Sequence, residues 1–148
     1  MPAPSPSGPV SGAGAGATHA PVRLPVPGLF DTAAVGYAQV LTAGHLVFIA
    51  GQAGLDEHFE VVSAGFADQT RQALRNLGHA LHAAGCDYDS VVAVTVYLTD
   101  ITHLGSYAEI RREIMGEAAP TSTAVEVSAL ALPGLHIEIT AIALRSTP

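Results

Sequence analysis

Charge is scarce in this sequence. Asp, Glu, Lys and Arg make up 13% of its 148 residues, where a soluble domain usually carries about a quarter. Only six residues are Lys or Arg, and the formal net charge is −7. That leaves no basic stripe for a phosphate backbone, so neither nucleic acid nor an anionic membrane surface is an expected partner. Cysteine is nearly absent: Cys86 stands alone. This excludes an intramolecular disulfide and a cysteine-ligated metal cluster, and it fits a cytoplasmic setting. Long apolar runs are missing as well. Gly51, Gln52, Pro133 and Glu138 interrupt the best candidates before they reach the about 20 residues a membrane-spanning helix needs. The first Lys or Arg is Arg23, so no basic region precedes an apolar block in the manner of a secretory signal.

What the chain does have is apolar side chains, at 49% of residues. A single domain of this length can bury a sizeable core. So little charged surface predicts that further copies of the chain cover part of the exterior, because monomers rarely leave large apolar patches in water. Residues 1–21, MPAPSPSGPVSGAGAGATHAP, bury too little apolar area to offset their backbone entropy and read as a disordered tail. Residues 22–148 then form one folded domain.

Residues 36–42 alternate as a strand, a turn at Ala43, Gly44 and His45 follows, and Leu46 to Ile49 continue as a second strand into Ala50, Gly51 and Gln52. The two are expected to pair as an antiparallel hairpin. Gly51 at the end of that run marks either a ligand rim or a bulge. A short strand is expected at 60–63. Between Gly65 and Ala84, Phe66, Thr70, Ala73, Leu74, Leu77, Leu81 and Ala84 form one buried helical stripe, and Gly85 stops the helix. VVAVTVYL, residues 91–98, is rich in β-branched residues and predicts a central strand covered on both faces. Ser106 followed by Glu109 has the capping-box spacing for a second helix, which Gly116 and Pro120 bound. Two more strands, joined through residues 130–134, complete an α+β domain: a mixed, mostly antiparallel sheet with two helices on one face.

The chemistry concentrates in the final strand. Its side chains alternate, so His136, Glu138 and Thr140 share one face while Ile137, Ile139 and Ala141 share the other. The apolar set is expected under the helices, which leaves Glu138 on a face that oligomerisation must cover. A carboxylate there is either a general base or ligand acceptor, or an acceptor satisfied by the protein itself. His136 and Glu138 lack a third convergent ligand, so no metal site is expected. No G-x-S-x-G elbow, P-loop or dinucleotide fingerprint accompanies them. Cys86, without a basic partner nearby, reads as a small packed residue.

The ordered blocks GYAQ, LVFIAGQAGL, DQTRQALRNLGHALHAAG, VVAVTVYLTD and IEITAIALR resemble the reactive-intermediate deaminase (Rid, YjgF-like) family over residues 27–145. The resemblance implies a chorismate-mutase-like fold and a homotrimer whose sheets form a central barrel, with ligand clefts between subunits. It also implies hydrolysis of reactive enamines and imines such as 2-aminoacrylate, without metal or other cofactor. By the same resemblance Glu138 positions the attacking water and Tyr37 lines the cleft. An arginine that clamps the substrate carboxylate in the family would fall on Ser122, and this chain resembles an arginine-lacking branch. Where many members have a small polar residue, it has Ala50 ahead of Gly51.

A hydroxyl cannot reproduce the two-pronged grip of a guanidinium. Thr121, Ser122 and Thr123 are therefore expected to offer hydroxyls to the ligand, with Arg111, or Arg112 beside it, able to supply charge from the second helix. The resulting expectation is an enzyme acting on a small imine, enamine or related carbonyl-derived intermediate, with poor activity on 2-imino acids. A trimer of the same fold that binds a small metabolite without catalysis is the alternative.

Overall fold

The computed structural model describes residues 20–148. Except for Ala20 and Pro21, the tail expected over residues 1–21 lies outside them. Six strands and two α-helices follow in the order β1 (Val22–Leu24), β2 (Val40–Ala43), β3 (Leu46–Ala53), α1 (Phe66–Ala83), β4 (Val91–Leu98), α2 (Leu104–Met115), β5 (Thr121–Glu126) and β6 (Ile137–Leu144). They build one sheet in the order β1-β2-β3-β6-β4-β5. Only β4 and β5 run parallel; every other neighbouring pair is antiparallel.

The β2–β3 hairpin forms as its sequence predicts, with Thr42 opposite Val47 and Gly44 in the left-handed region at the turn, φ 59°. In α1 the stripe Thr70, Ala73, Leu74, Leu77 and Leu81 is buried, joined by Gln69, Asn76 and Ala80. It packs on the sheet face presented by Ile137, Ile139, Ala141 and Ala143 of β6. Leu74, Leu77, Leu81, Ile137 and Ile139 are each wholly shielded from solvent. Burial of each such side chain contributes about 1.5–3 kcal/mol. The second helix adds Tyr107, Ile110 and Met115 to the same core.

Several boundaries differ from the sequence reading. The three-residue strand β1 was not anticipated, because VRL is too short to show a period. The first hairpin strand begins at Val40, since residues 33–35 form a short 3-10 helix that turns through Gly36 at φ 87°. Residues 60–63 form no strand, only an isolated bridge between Leu55 and Val61. The second helix starts at Leu104 rather than Ser106. A 3-10 turn over Ile101–His103 leads into it, and the Asp100 carboxylate accepts from the Thr102 backbone N–H at 2.9 Å. That aspartate therefore does the capping expected of Ser106. Strand β4 is covered on one face only: Val94, Val96 and Leu98 are buried, whereas Val92 is exposed and Thr95 and Tyr97 are half-buried. The last two strands are not neighbours, because β4 lies between β5 and β6.

Candidate active site on the open face of the sheet

Glu138 sits in β6 opposite Ala53 of β3 on one side and Tyr97 of β4 on the other. Alternation with Ile137 and Ile139 directs it to the face that no helix covers. Its carboxylate is half-buried, and burial raises its pKa above the usual carboxylate range. Among the described residues it makes neither an ion pair nor a side-chain hydrogen bond, and the two ion pairs present join His58 to Glu57 and Arg71 to Glu113. The carboxylate lone pairs are thus free to accept from water or from a ligand N–H.

Gly51 makes room for that carboxylate. The register between β3 and β6 shifts between Ile49 and Gln52, so the glycine lies in a bulge. A Cβ built on it would overlap the carboxylate, with Glu138 Cδ only 2.7 Å away. Of the two readings the sequence offers for Gly51, the bulge is the one the register shows, and the missing side chain leaves the space that Glu138 fills. Gly51→Ala is expected to push Glu138 out of place, costing about 1–3 kcal/mol of stability from overpacking. A chemical-denaturation midpoint measures that loss, and turnover is expected to fall at least about tenfold with it.

Tyr37 approaches from the segment before β2. The Thr32 hydroxyl donates to the Tyr37 carbonyl at 2.7 Å, which fixes the turn carrying the ring. Burial, and secondarily the charge of Glu138, raise the pKa of the phenol, so it remains a hydrogen-bond donor at neutral pH. Tyr37 and Gly51 share a notch of about 30 Å³ with Gln39, Gln52 and Asp56, room for a water molecule or two. The buried Gln52 amide donates to Gln39 Oε1 at 2.9 Å and to the Ala50 carbonyl at 3.0 Å, and Gln39 in turn donates to the Phe30 carbonyl. This relay joins the loop bearing Tyr37 to the bulge beside Glu138. Sequence reasoning passed over both glutamines, although a lone amide in the apolar run LVFIAGQA was the available signal.

The remaining candidates lie elsewhere. In β5 Ala124 packs against the core, so alternation places Ser122 on the helix face and Thr121 and Thr123 on the open face. Ser122 borders a groove with Tyr107, Arg111 and Arg112 of α2. The structure thus brings together Glu138, Tyr37 and Gly51, and separately Ser122 and Arg111, on opposite faces of one sheet. Thr121 Oγ1 donates to the Val92 carbonyl at 3.0 Å. The ring of His136 is held at 3.1 Å from the Ala64 carbonyl. Among the described residues no three His, Cys, Asp or Glu side chains gather as metal ligands, and no helix is long and apolar enough to cross a membrane.

Fold and site together define a small α+β protein with one sheet backed by two helices and, on the other face, a carboxylate that has no partner among the described residues. The profile described as "Endoribonuclease L-PSP" matches residues 31–145, and the chain belongs to that family, the Rid or YjgF-like proteins. It is 44% identical over 110 residues to a RutC family protein of Pyrococcus horikoshii, covering 74% of this chain and 86% of that one. To the 2-iminobutanoate/2-iminopropanoate deaminase of Mus musculus it is 39% identical over 115 residues, covering 76% and 84%. Among solved structures, a Rid-family protein of Yersinia pestis superimposes with a TM-score of 0.80 at 26% identity, covering 85% of this chain and all of the other.

Proposed function

We propose that this protein hydrolyses a small imine or enamine to the corresponding carbonyl compound and ammonia, in a cytoplasmic setting. The observation that carries the reading is the Glu138 carboxylate. It is half-buried, raised in pKa and without a side-chain hydrogen bond among the described residues, in a chain 39% identical to a protein named as a 2-iminobutanoate/2-iminopropanoate deaminase.

An enamine first takes a proton on its β-carbon to become the iminium ion, and an imine takes one on its nitrogen. Glu138 then accepts a proton from water as the oxygen bonds to the iminium carbon, which gives a neutral carbinolamine. Return of that proton to the nitrogen lets the C–N bond break. Ammonia leaves, the C=O bond forms, and the hydroxyl proton passes to solvent, replacing the one taken up at the start. Tyr37, protonated at neutral pH, lines the cleft and can hold the nucleophilic water or the substrate nitrogen. No step calls for a metal or a cofactor.

One copy of the chain does not complete the cleft. Glu138 faces the open side of the sheet, while Ser122 lies on the helix face of the edge strand β5. A site containing both requires the β5 edge of a second copy to meet the open side of the first, and a homotrimer closed in this way satisfies every copy alike. The open face also carries apolar side chains that need cover: Leu46, Phe48 and Leu144 are 40%, 39% and 50% exposed. Gly51 forms the floor of the cleft and Ser122 supplies a hydroxyl, while Thr121 and Thr123 stand on the other face of β5. A hydroxyl does not match a guanidinium for a substrate carboxylate, so the reading favours substrates that do not depend on such a clamp. Endoribonuclease activity, the family's printed description, fits poorly with six Lys plus Arg and a net charge of −7.

Ammonia release from a small imine that carries no carboxylate and from freshly generated 2-aminoacrylate, each followed against the spontaneous reaction in buffer, tests the proposal. An increase proportional to protein concentration is expected, larger for the carboxylate-free imine, and rates equal to buffer for both with folded protein would reject it.

A further inference from the structure

Glu138 stands at the very end of its ladder. The pairing of β6 with β3 runs from Leu144 opposite Leu46 to Glu138 opposite Ala53 and stops there. Beyond that point residues 134–136 pair with no strand on the β3 side among the described residues. A carboxylate that takes a proton from water has to be held within about 0.5 Å of its working position. Side-chain amides of α1 take the place of the missing strand. Gln69, wholly buried, accepts from the His136 backbone N–H at 2.8 Å, and its Nε2 donates to the carbonyls of Gly134 at 2.7 Å and Ser63 at 2.8 Å. Asn76 lies two turns further along the same face of the helix. Also buried, it donates to the carbonyls of Ala53 at 3.1 Å and Leu55 at 2.9 Å and accepts from Gln72 at 2.9 Å. Gly54 lets α1 come this close, since a Cβ there would lie 2.6 Å from Gln69 Cβ. A side-chain amide carries the donor and acceptor of a peptide unit, so each can supply a bond that the strand ends lack. Two buried amides on a face that otherwise packs Leu74, Leu77 and Leu81 mark a constraint that core packing alone does not impose.

We propose that Gln69 and Asn76 are positioning residues for Glu138: Gln69 fixes the entry of β6, Asn76 fixes the end of β3 beside it, and together they hold the carboxylate over Gly51. The placement of the carboxylate can be read without turnover, and only the kinetic prediction below rests on imine hydrolysis.

The test is an NMR titration of the Glu138 carboxyl carbon in the full-length protein, as wild type, Gln69→Met, Asn76→Ala and Leu81→Ala. Leu81 is wholly buried at the other end of α1, and its truncation opens a cavity that controls for general loosening. Burial holds the wild-type Glu138 pKa above the ordinary carboxylate range. A strand end freed from Gln69 lets the carboxylate swing into water, so Gln69→Met should move that pKa down toward the ordinary range. Asn76→Ala should move it the same way by less. Leu81→Ala should leave it in place, although all three variants melt at lower temperature than the wild type. Well below its melting temperature, Gln69→Met should lower kcat at least about tenfold with KM within about threefold, whereas Leu81→Ala keeps kcat within about twofold. No turnover by the wild type, with the titrations as expected, would reject imine hydrolysis and keep the positioning role. An unchanged pKa in folded Gln69→Met and Asn76→Ala, or an equal fall in Leu81→Ala, would overturn the positioning role. Hydrogen exchange in the wild type decides it should Gln69→Met not fold. The His136 amide is expected to be protected like that of Ile139 within the ladder, and exchange as fast as an exposed loop amide would overturn the positioning role as well.

Discussion

Glu138→Gln is expected to lower imine hydrolysis by about a hundredfold to ten-thousandfold, the range associated with loss of a positioned general base. The substitution keeps the side chain's shape against Gly51 and removes its capacity to take a proton from water. Stability should move in the opposite direction. Burial raises the Glu138 pKa in the folded state, so folding favours the protonated acid and disfavours the charged one. The stability contributed by this group is fully present below the pKa of an unfolded glutamate, and it is lost as the pH rises through the raised folded value. At neutral pH the glutamine variant should therefore unfold at a higher temperature than the wild type, with the gap closing as the medium becomes acidic. Steady-state rates and unfolding curves on the same preparations check both halves. A variant that is more stable but equally active would show that Glu138 is not the base, whereas no turnover by either protein with ligand affinity retained in the variant would favour the alternative, in which the trimer binds a metabolite without transforming it.

Ser122→Arg is expected to raise activity on 2-aminoacrylate. A charge-assisted pair to a carboxylate is worth roughly 1.5–3 kcal/mol, or about ten- to a hundredfold in binding. Residue 122 borders the same groove as Arg111 and Arg112, and repulsion among like charges works against the new guanidinium. The gain should therefore sit near the lower end, about tenfold, and appear in kcat/KM. It should vanish for an imine that carries no carboxylate. A correctly folded variant with no gain on 2-aminoacrylate would show that the cleft around residue 122 does not hold the substrate's carboxylate.

The sequence made some features plain. A carboxylate among Ile137, Ile139 and Ile142 stands out because an uncompensated charge in an apolar strand is costly, and among the described residues that carboxylate has no protein partner. The α1 stripe is legible because its apolar spacing repeats over eighteen residues, long enough for the period to emerge. The face occupied by Ser122 was hidden, since it depends on the parallel register that sets Ser122 beside Val94, and no local pattern encodes pairing with a strand more than twenty residues away. The start of α2 was misplaced for a related reason. Ser106 and Glu109 carry the capping spacing, but the Asp100 carboxylate and its hydrogen bonds from Thr102 set the entry two residues earlier than Ser106. The partners of the Gln69 and Asn76 amides could be found only once helix and strand were packed together.

The central claim is that the carboxylate of one copy works with the β5 edge of another, and mixed oligomers test it most directly. Chains carrying both Glu138→Gln and Ser122→Arg are unfolded and refolded together with wild-type chains, and 2-aminoacrylate turnover is compared with that of each parent refolded alone. A cleft shared between copies predicts that the mixture exceeds both parents, because wild-type Glu138 then meets an arginine at position 122 on its neighbour. A mixture no more active than its wild-type fraction, from subunits shown to have exchanged, would contradict the account and place both residues' work within one chain.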